Sequence, residues 1–343
     1  MKKAWILILS LCFALVIAGC SSGASGKDDG ELTIAWLPNE SGADMGEARE
    51  EIGKAIEEAT GQKVKHQTTT DYIVAIEAIA NGKADLAFLG AQGYIEANEK
   101  NKKVEPLVVS SGESGTLEDA IYHSWLTVKK GNEQEYEKGG EYTIDGIKGK
   151  RFSFVSNSST SGFQVPSTEI GKHFSEKGED LAPEDLMEGG EGKFFSEVLF
   201  GGSHQGSAVN LLTEKADAAA FCDTCVANYV ELEEGKANEA GSVYKVKEGA
   251  AEPFQNLAGE QFTLFSVTPV LNAPIVINSE NVDEEAKQKI LDTLTSEETK
   301  NNEKIFVPEG SETSGLFEKA SGKEQFVKVE DKWFNPIREL QKK

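Results

Sequence analysis

Short apolar runs alternate with segments that carry an apolar residue every three or four positions, from residue 31 onwards. The short runs are rich in β-branched and aromatic residues, which is typical of buried strands. They predict strands at 31–38, 63–69, 86–90, 104–110, 218–222 and 243–247. The longer repeats predict helices at 43–60, 71–81, 91–100, 206–215, 223–233, 282–295 and 335–341. Strands that alternate with helices predict an α/β fold with a mainly parallel sheet that is covered on both faces.

Two long extended segments, 120–129 and 262–279, interrupt this alternation. Each predicts a crossing between two lobes, which makes the first lobe discontinuous and leaves a ligand cleft between them. A chain of 343 residues is long enough for two such lobes. The predicted organisation is a signal peptide at 1–20, a tether at 21–30, lobe 1 at 31–125, lobe 2 at 126–262, and the rest of lobe 1 with a C-terminal helix at 263–343.

The segment 151–174 has the pattern of a strand that turns directly into a helix. Ser159, Thr160, Ser161 and Gly162 lie at this turn. The N–H groups of a first helical turn lack partners, and together with the helix dipole they favour an anion. Serine and threonine are also common helix caps, so the turn alone indicates either an anion site or an ordinary capped helix.

The N-terminus has the order of a bacterial lipoprotein signal peptide. Lys2 and Lys3 precede an apolar run at 5–17, and the small-residue sequence I-A-G leads into Cys20. This order predicts cleavage before Cys20 and lipidation of its thiol. The alternative is a membrane-spanning helix, for which the apolar run is short. We therefore expect an extracytoplasmic protein that is anchored to the cell membrane through Cys20.

The charge of the chain bears on which partners it can have. The formal net charge is −23, and loss of Lys2 and Lys3 with the signal peptide takes it to −25. Such a charge argues against nucleic acid and against an anionic membrane surface. It does not exclude a small anion at a helix terminus, because solvent ions screen the distant charges.

Cys222 and Cys225 remain after Cys12 leaves with the signal peptide and Cys20 is lipidated. They form the sequence C-D-T-C, which in an exported protein can be a disulfide, a redox pair or half of a metal site. A second C-x-x-C is missing from the sequence, so a structural pair is favoured, and neither a metal nor a cofactor is predicted.

Four motifs follow one another in the chain. They are T-D-Y-x-x-x-I-E-A-I-A-x-G-K-A-D-L-A-F-L-G at 70–90, G-A-Q-G-Y at 90–94, N-S-S-T-S-G-F-x-x-P at 157–166, and G-G-S-H at 201–204 with K-A-D-A-A-A at 215–220. In this order they resemble the substrate-binding lipoproteins of ABC importers for phosphonate, phosphite and phosphate. The resemblance covers 31 to about 300, and it implies a periplasmic-binding-protein fold of the two-lobe type II with two crossing hinge strands.

The resemblance also assigns roles to residues. It implies that the turn of Ser159, Thr160 and Ser161 binds a phosphoryl group, which Tyr72 and Tyr94 reach from lobe 1 and His204 from lobe 2. Hydroxyl, amide and imidazole groups supply the donors that phosphoryl oxygens need. Taken singly, each tyrosine is better explained as a half-buried helix residue and His204 as a structural histidine. Their alignment with the Ser/Thr turn reverses that preference. The chain lacks the Walker motif, so the implied partners of this monomer are a permease and a separate ATPase.

The sequence departs from the family at three places. Gln205 follows His204 where the family often has an acid, and Ala273 stands where binders of aminophosphonates tend to carry one. Asp223 could supply a carboxylate and is a further candidate ligand residue. The acidic insertion at 176–192 also lies outside the pattern. We therefore expect a small ligand without an amine to bind more tightly than 2-aminoethylphosphonate, because a buried ammonium needs an anionic partner.

Other functions remain open on the sequence alone. The ligand could be a different small oxyanion or a carboxylate, and the protein could report its ligand to a kinase instead of a permease. An exported enzyme would use Ser159 or Ser161 as nucleophile and His204 as base. The chain has no G-x-S-x-G motif, which argues against that alternative.

Overall fold

The computed structural model describes residues 30–42, 45–311 and 315–340. The predicted signal peptide, the lipidated Cys20 and the tether up to residue 29 lie outside the described residues. Within the described ranges, no helix has the length and apolar character that a membrane span requires.

The strands and helices fall close to the predicted ones. The strands are β1 Glu31–Trp36, β2 Lys63–Thr68, β3 Leu86–Phe88, β4 Val104–Ser110, β5 Ile121–Lys129, β6 Glu137–Lys138, β7 Glu141–Tyr142, β8 Arg151–Phe154, β9 Glu197–Phe200, β10 Ala218–Cys222, β11 Val230–Glu234, β12 Val243–Val246, β13 Gln261–Leu271, β14 Pro274–Asn278, β15 Phe306–Pro308, β16 Phe317–Lys319 and β17 Phe326–Lys328. The helices are α1 Gly46–Thr60, α2 Tyr72–Ala80, α3 Ala91–Lys100, α4 Val165–Ser175, α5 His204–Leu212, α6 Asp223–Val226, α7 Glu284–Leu294, α8 Glu297–Lys300 and α9 Asn335–Leu340.

Two large sheets form the cores of two lobes. The sheet of lobe 1 has the order β17-β4-β14-β3-β1-β2, and that of lobe 2 has the order β11-β12-β13-β5-β10-β8-β9. The central strands β10 and β14 are buried along their whole length, as expected for sheets that are covered on both faces. The predicted α/β fold with two lobes is therefore confirmed.

The sheets are mixed, whereas the sequence predicts mainly parallel pairing. β1 pairs with β3, and β8 with β9 and β10, in parallel. β14 runs antiparallel to β3 and β4, and β5 runs antiparallel to β10 and β13. β5 and β14 are the strands that arrive from the other lobe. Such a strand enters its sheet from the hinge side and so runs opposite to strands that belong to local β-α units.

The second predicted crossing, 262–279, is two strands in different sheets. β13 stays in lobe 2 to Leu271, and β14 begins in lobe 1 at Pro274. Asn272 between them donates its backbone N–H to the carbonyl of Ala120 and its side-chain amide to the carbonyl of Ser110. The two crossings therefore contact each other at the hinge. The lobe limits drawn at 125/126 and 262/263 stay a prediction; the strands change sheet near residues 120 and 272.

The helix predicted at 223–233 is wrong beyond its first turn. α6 ends at Val226, and the chain then forms β11, which pairs antiparallel with β12. Val230 and Leu232 alternate with glutamates, a two-residue period that fits a strand at the sheet edge. Pairing with β12 supplies backbone hydrogen bonds that outweigh the helix preference of the glutamates.

Candidate functional site

A cavity of about 410 Å³ lies between the two lobes. Asn39 and Tyr72 line it from lobe 1, and Ser159, Thr160 and His204 line it from lobe 2. Each of these side chains is more than nine-tenths buried. Groups from both lobes therefore converge on one cavity.

The turn of lobe 2 forms where β8 passes into a helix. Ser159 is the N-cap of a π-helical turn, Thr160–Gln164, that continues into α4, and its Oγ accepts the Gly162 N–H at 3.1 Å. A Cβ atom at Gly162 would lie 2.3 Å from Cγ2 of Val155, so only glycine fits this close return of the chain. The turn is thus a capped helix start, of which Ser159 and Thr160 line the cavity.

Thr160 lies against lobe 1. Its Oγ1 accepts the backbone N–H of Gln92 at 2.9 Å, from the first turn of α3. A Cβ atom at Gly90 would approach the same oxygen to 2.9 Å. Next to it, Ser158 donates to the carboxylate of Glu96 at 2.9 Å. The described conformation is therefore one in which the lobes contact each other beside the cavity.

Ser161 differs from its two neighbours, because it does not line the cavity. Its carbonyl accepts the hydroxyl of Ser124 at 2.7 Å. Its own Oγ is buried and forms no well-oriented hydrogen bond among the described residues. This hydroxyl interacts with the phenol of Tyr122, whose pKa is raised by burial and lowered to a smaller extent by Ser161.

His204 begins α5, where Ser203 caps the helix by accepting the Gly206 N–H at 2.9 Å. Nδ1 of His204 accepts the backbone N–H of Cys222 at 3.0 Å, and Nε2 lies 3.3 Å from Oγ of Ser159. Burial lowers the pKa of the imidazole to about 3, so the ring is neutral. Because Nδ1 is an acceptor, we assign the proton to Nε2, which can donate into the cavity.

Tyr72 reaches the cavity from the first residue of α2, which Asp71 caps. Its phenol oxygen accepts the side-chain amide of Asn39 at 2.6 Å. Burial raises the pKa of the phenol, and the Ser159 hydroxyl interacts with it. Since the oxygen already accepts a hydrogen bond, the phenol proton remains for donation to Ser159 or to a ligand.

Asn39 joins the lobes and was missed by the sequence analysis. Besides its bond to Tyr72, its Oδ1 accepts the backbone N–H of His204 at 3.0 Å, and its carbonyl accepts the side-chain amide of Gln205 at 3.1 Å. Glu40 and Tyr122 also line the cavity and were missed. Asn39 and Glu40 follow the carboxyl end of β1, where ligands of α/β sheets are found, and that rule applied to β1 would have indicated them.

The structure does not bring Tyr94 to the cavity. Its hydroxyl donates to Asp331, and its ring packs against Phe334 at a centroid distance of 5.0 Å, both near α9. From its position on α3, the Tyr94 side chain extends to the C-terminal segment and away from the cleft. Tyr94 therefore drops out of the candidate site.

Asp223 is also engaged elsewhere. Its carboxylate accepts the backbone N–H groups of His123 at 2.9 Å and Thr224 at 2.7 Å, and it lies 2.8 Å from Nδ1 of His123. It does not line the cavity. These contacts attach α6 to β5, which is a structural role.

Cys222 and Cys225 form a disulfide. Together with His204 their ligand atoms lie within 4.8 Å of one another, but the two sulfurs are bonded to each other, which leaves no thiolate for a metal. The carbonyl of Cys225 accepts the side-chain amide of Gln205 at 3.0 Å, and the N–H of Cys222 holds Nδ1 of His204. The bridged turn therefore fixes the start of α5.

The site can bind an anion with neutral donors. Lys247 is the one cationic side chain among the described residues that line the cavity, and its ammonium group donates to the carbonyls of Ala227 and Asn228. The hydroxyls of Tyr72, Ser159 and Thr160 and the imidazole of His204 also line the cavity. Donors of this kind suit an oxyanion with several acceptor oxygens.

Comparison with known families identifies this arrangement. The family model for the phosphonate-specific periplasmic substrate-binding proteins of ABC transporters matches residues 34–334. The chain belongs to this family. The resemblance deduced from the four motifs is thereby confirmed.

Relatives of the phosphonate-binding family agree in sequence and in fold. A phosphate-import protein PhnD from Mycolicibacterium smegmatis is 28% identical over 235 residues, which cover 64% of this chain and 66% of that protein, just under two thirds of its length. A binding protein of a phosphonate ABC transporter from Pseudomonas aeruginosa superposes with a TM-score of 0.61 at 18% identity, over 91% of this chain and 85% of the other. PhnD1 from Prochlorococcus marinus in complex with methylphosphonate gives 0.63 at 17% identity, over 92% and 98%. At this identity the structural likeness establishes the fold, which is that of type II periplasmic binding proteins.

Proposed function

We propose that this member of the phosphonate-binding family is an extracytoplasmic receptor for a phosphonate-type or related phosphorus oxyanion. It binds the ligand in the inter-lobe cavity and passes it to a membrane permease that a separate ATPase drives. One observation carries most weight: Ser159, His204 and Tyr72 meet from both lobes with protons available for an oxyanion. Closure of the lobes about the hinge would bring these groups onto the ligand.

The relatives indicate which ligands to test first. One is named for phosphate import, and another is a complex with methylphosphonate. The expectation that an amine-free ligand is preferred relied on missing acids, but Glu40 lines the cavity and was not counted. 2-Aminoethylphosphonate, phosphite, sulfate and a small carboxylate therefore belong in the same panel.

An enzymatic role for Ser159 and His204 is disfavoured by the state of the imidazole. A general base must accept the serine proton on Nε2, but Nδ1 of His204 accepts the Cys222 N–H and so leaves the proton on Nε2. Burial also lowers the pKa of His204 to about 3, far from the range of an efficient base at neutral pH. The pair acts as two donors to a bound anion.

Calorimetric titration of the panel tests the proposal. We expect methylphosphonate or phosphate to bind, and Tyr72→Phe to weaken that binding about tenfold or more, because one hydrogen bond to a charged group is worth about 1.5–3 kcal/mol. Tyr94→Phe is the matched control, since its hydroxyl contacts Asp331 outside the cavity. The proposed site is refuted when the two variants lose affinity equally, and the proposed ligand class is refuted when no phosphorus oxyanion binds.

The anchor is a separate part of the proposal. The family is periplasmic, and the I-A-G-C sequence that ends at Cys20 supports attachment through a lipid. We expect mass spectrometry of the membrane fraction to find an N-terminal peptide that begins at a diacylglycerol-modified Cys20. Cys20→Ala should keep the uncleaved leader, and an unmodified wild-type peptide that continues from Gly19 into Cys20 would contradict the anchor.

A further inference from the structure

Glu40 is a buried acid with no assigned role. It ends a short 3-10 turn, Pro38–Glu40, at the carboxyl end of β1. Its side chain lines the cavity, only 8% of the residue is exposed, and Oε2 has no hydrogen-bond partner among the described residues. Burial raises the pKa of this carboxyl more than hydrogen bonds from its own backbone N–H and from the Asn39 side chain lower it, so an ionised carboxylate is costly here.

The groups around Glu40 do not neutralise a negative charge. The Arg49 guanidinium donates to the backbone carbonyls of Glu40 and Gly42, and it lowers the pKa of the carboxyl only slightly. The phenols of Tyr72 and Tyr122 have pKa values raised by burial, and the neighbouring charge of Glu40 raises them further. His204 lines the same cavity and is neutral. Lys247 lines it too, but its ammonium group donates to the carbonyls of Ala227 and Asn228. The other titratable residues in the described lining are acids: Glu113, Glu318 and Glu324.

Burial therefore dominates and raises the pKa of Glu40 to about 8. At neutral pH the side chain is mostly a carboxylic acid, which has one O–H donor. Tyr72 and Tyr122, whose pKa values are raised by burial and by the charge of Glu40, also line the cavity, as Ser159 and Thr160 do. The acid thus faces the end of the cavity where the neutral donors converge.

We propose that Glu40 is a ligand-binding residue that shares one proton with the bound oxyanion, so that the complex holds a single exchangeable proton between the carboxyl group and the phosphoryl oxygens. This inference rests on the proposed function. It explains how an acid can face an anion site: the proton turns a repulsion between two negative groups into a hydrogen bond. An ionised Glu40 together with a fully ionised ligand would be excluded.

The number of protons exchanged on binding should change sign with pH. In acidic solution the ligand and Glu40 each carry a proton, and binding releases one of them to the solvent. In alkaline solution both are ionised, and binding takes one proton from the solvent. Affinity should therefore fall about tenfold for each pH unit above the pKa of Glu40, as required when one proton is linked to binding.

The test is calorimetric titration with methylphosphonate at about pH 6, 7.5 and 9 in buffers of different ionisation enthalpy, which yields the number of protons exchanged. We expect proton release at the lowest pH and uptake of about one proton at the highest. Glu40→Gln should abolish the alkaline uptake and flatten the alkaline decline in affinity, because an amide keeps a donor at every pH. Its melting temperature without ligand checks that the variant is folded.

Glu318 supplies the matched control. It lines the same cavity, and burial raises its pKa as well, but it lies on β16. Glu318→Gln should keep the wild-type uptake. The role of Glu40 is overturned when alkaline proton uptake disappears in Glu318→Gln or persists in Glu40→Gln. It is also overturned when the wild-type protein takes up no proton at alkaline pH. Binding whose proton exchange stays at zero from pH 6 to pH 9 would remove the role of Glu40 and leave the proposed function standing, whereas failure of every phosphorus oxyanion to bind would remove both.

Discussion

His204→Asn is expected to lower the affinity for methylphosphonate about tenfold or more while leaving the fold intact. The Asn side chain places its amide group where Nδ1 of His204 accepts the Cys222 N–H, so the structural hydrogen bond can be kept. The donor at the position of Nε2, 3.3 Å from Ser159, is lost. Loss of one hydrogen bond to a charged group costs about 1.5–3 kcal/mol.

His204→Gln is the complementary variant. Gln places its amide nitrogen near the position of Nε2 and has no acceptor at the position of Nδ1. It should keep affinity within a few-fold of wild type but melt at a lower temperature, because a buried Cys222 N–H without a partner costs about 1–3 kcal/mol. Titration calorimetry and thermal melting of both variants separate the two roles. The assignment of the proton to Nε2 is wrong when Asn preserves binding and Gln abolishes it.

Gly90→Ala should impair closure of the lobes without damage to either lobe. The backbone of Gly90 has φ −63° and ψ 159°, which alanine adopts readily, but its Cβ would lie 2.9 Å from Oγ1 of Thr160 on the opposite lobe. Overpacking of this kind costs about 1–3 kcal/mol, and here the cost falls on the closed state alone. We expect about tenfold weaker binding of methylphosphonate with an unchanged melting temperature of the ligand-free protein.

Gly93→Ala on the same helix is the control. A Cβ atom there would lie 3.4 Å from Ile76 within lobe 1, an ordinary contact. Small-angle scattering with and without ligand provides the second readout. We expect the ligand to make Gly93→Ala more compact, and to make Gly90→Ala less so. Equal affinity in both variants would show that Thr160 does not approach Gly90 in the bound state.

The parts of the site that are local in sequence could be predicted. Ser159 and Thr160 lie at a strand-to-helix turn, and His204 follows a Ser cap, so short motifs are enough to find them. Tyr94 could not be assigned in this way, because its hydroxyl partner, Asp331, is 237 residues away in sequence. Asp223 likewise binds His123, 100 residues away.

Glu40 and Asn39 escaped prediction for a related reason. Their place after β1 was a signal in the sequence, but their burial in the cleft depends on the approach of lobe 2 to the end of β1. The fold was easier to predict, because the spacing of apolar residues in most strands and helices can be read from the segment itself. The exception at 223–233 arose where pairing with β12 decided the outcome.

The contacts of Asn39 bear on how long a ligand stays bound. Asn39 is tied to Tyr72 on its own lobe and to the backbone of His204 and the side chain of Gln205 on the other. Opening must break the bonds to α5 before a ligand can leave. The dissociation rate is therefore set partly by groups that contact the opposite lobe, and residence time can change through them while the choice of ligand stays with the donors of the cavity.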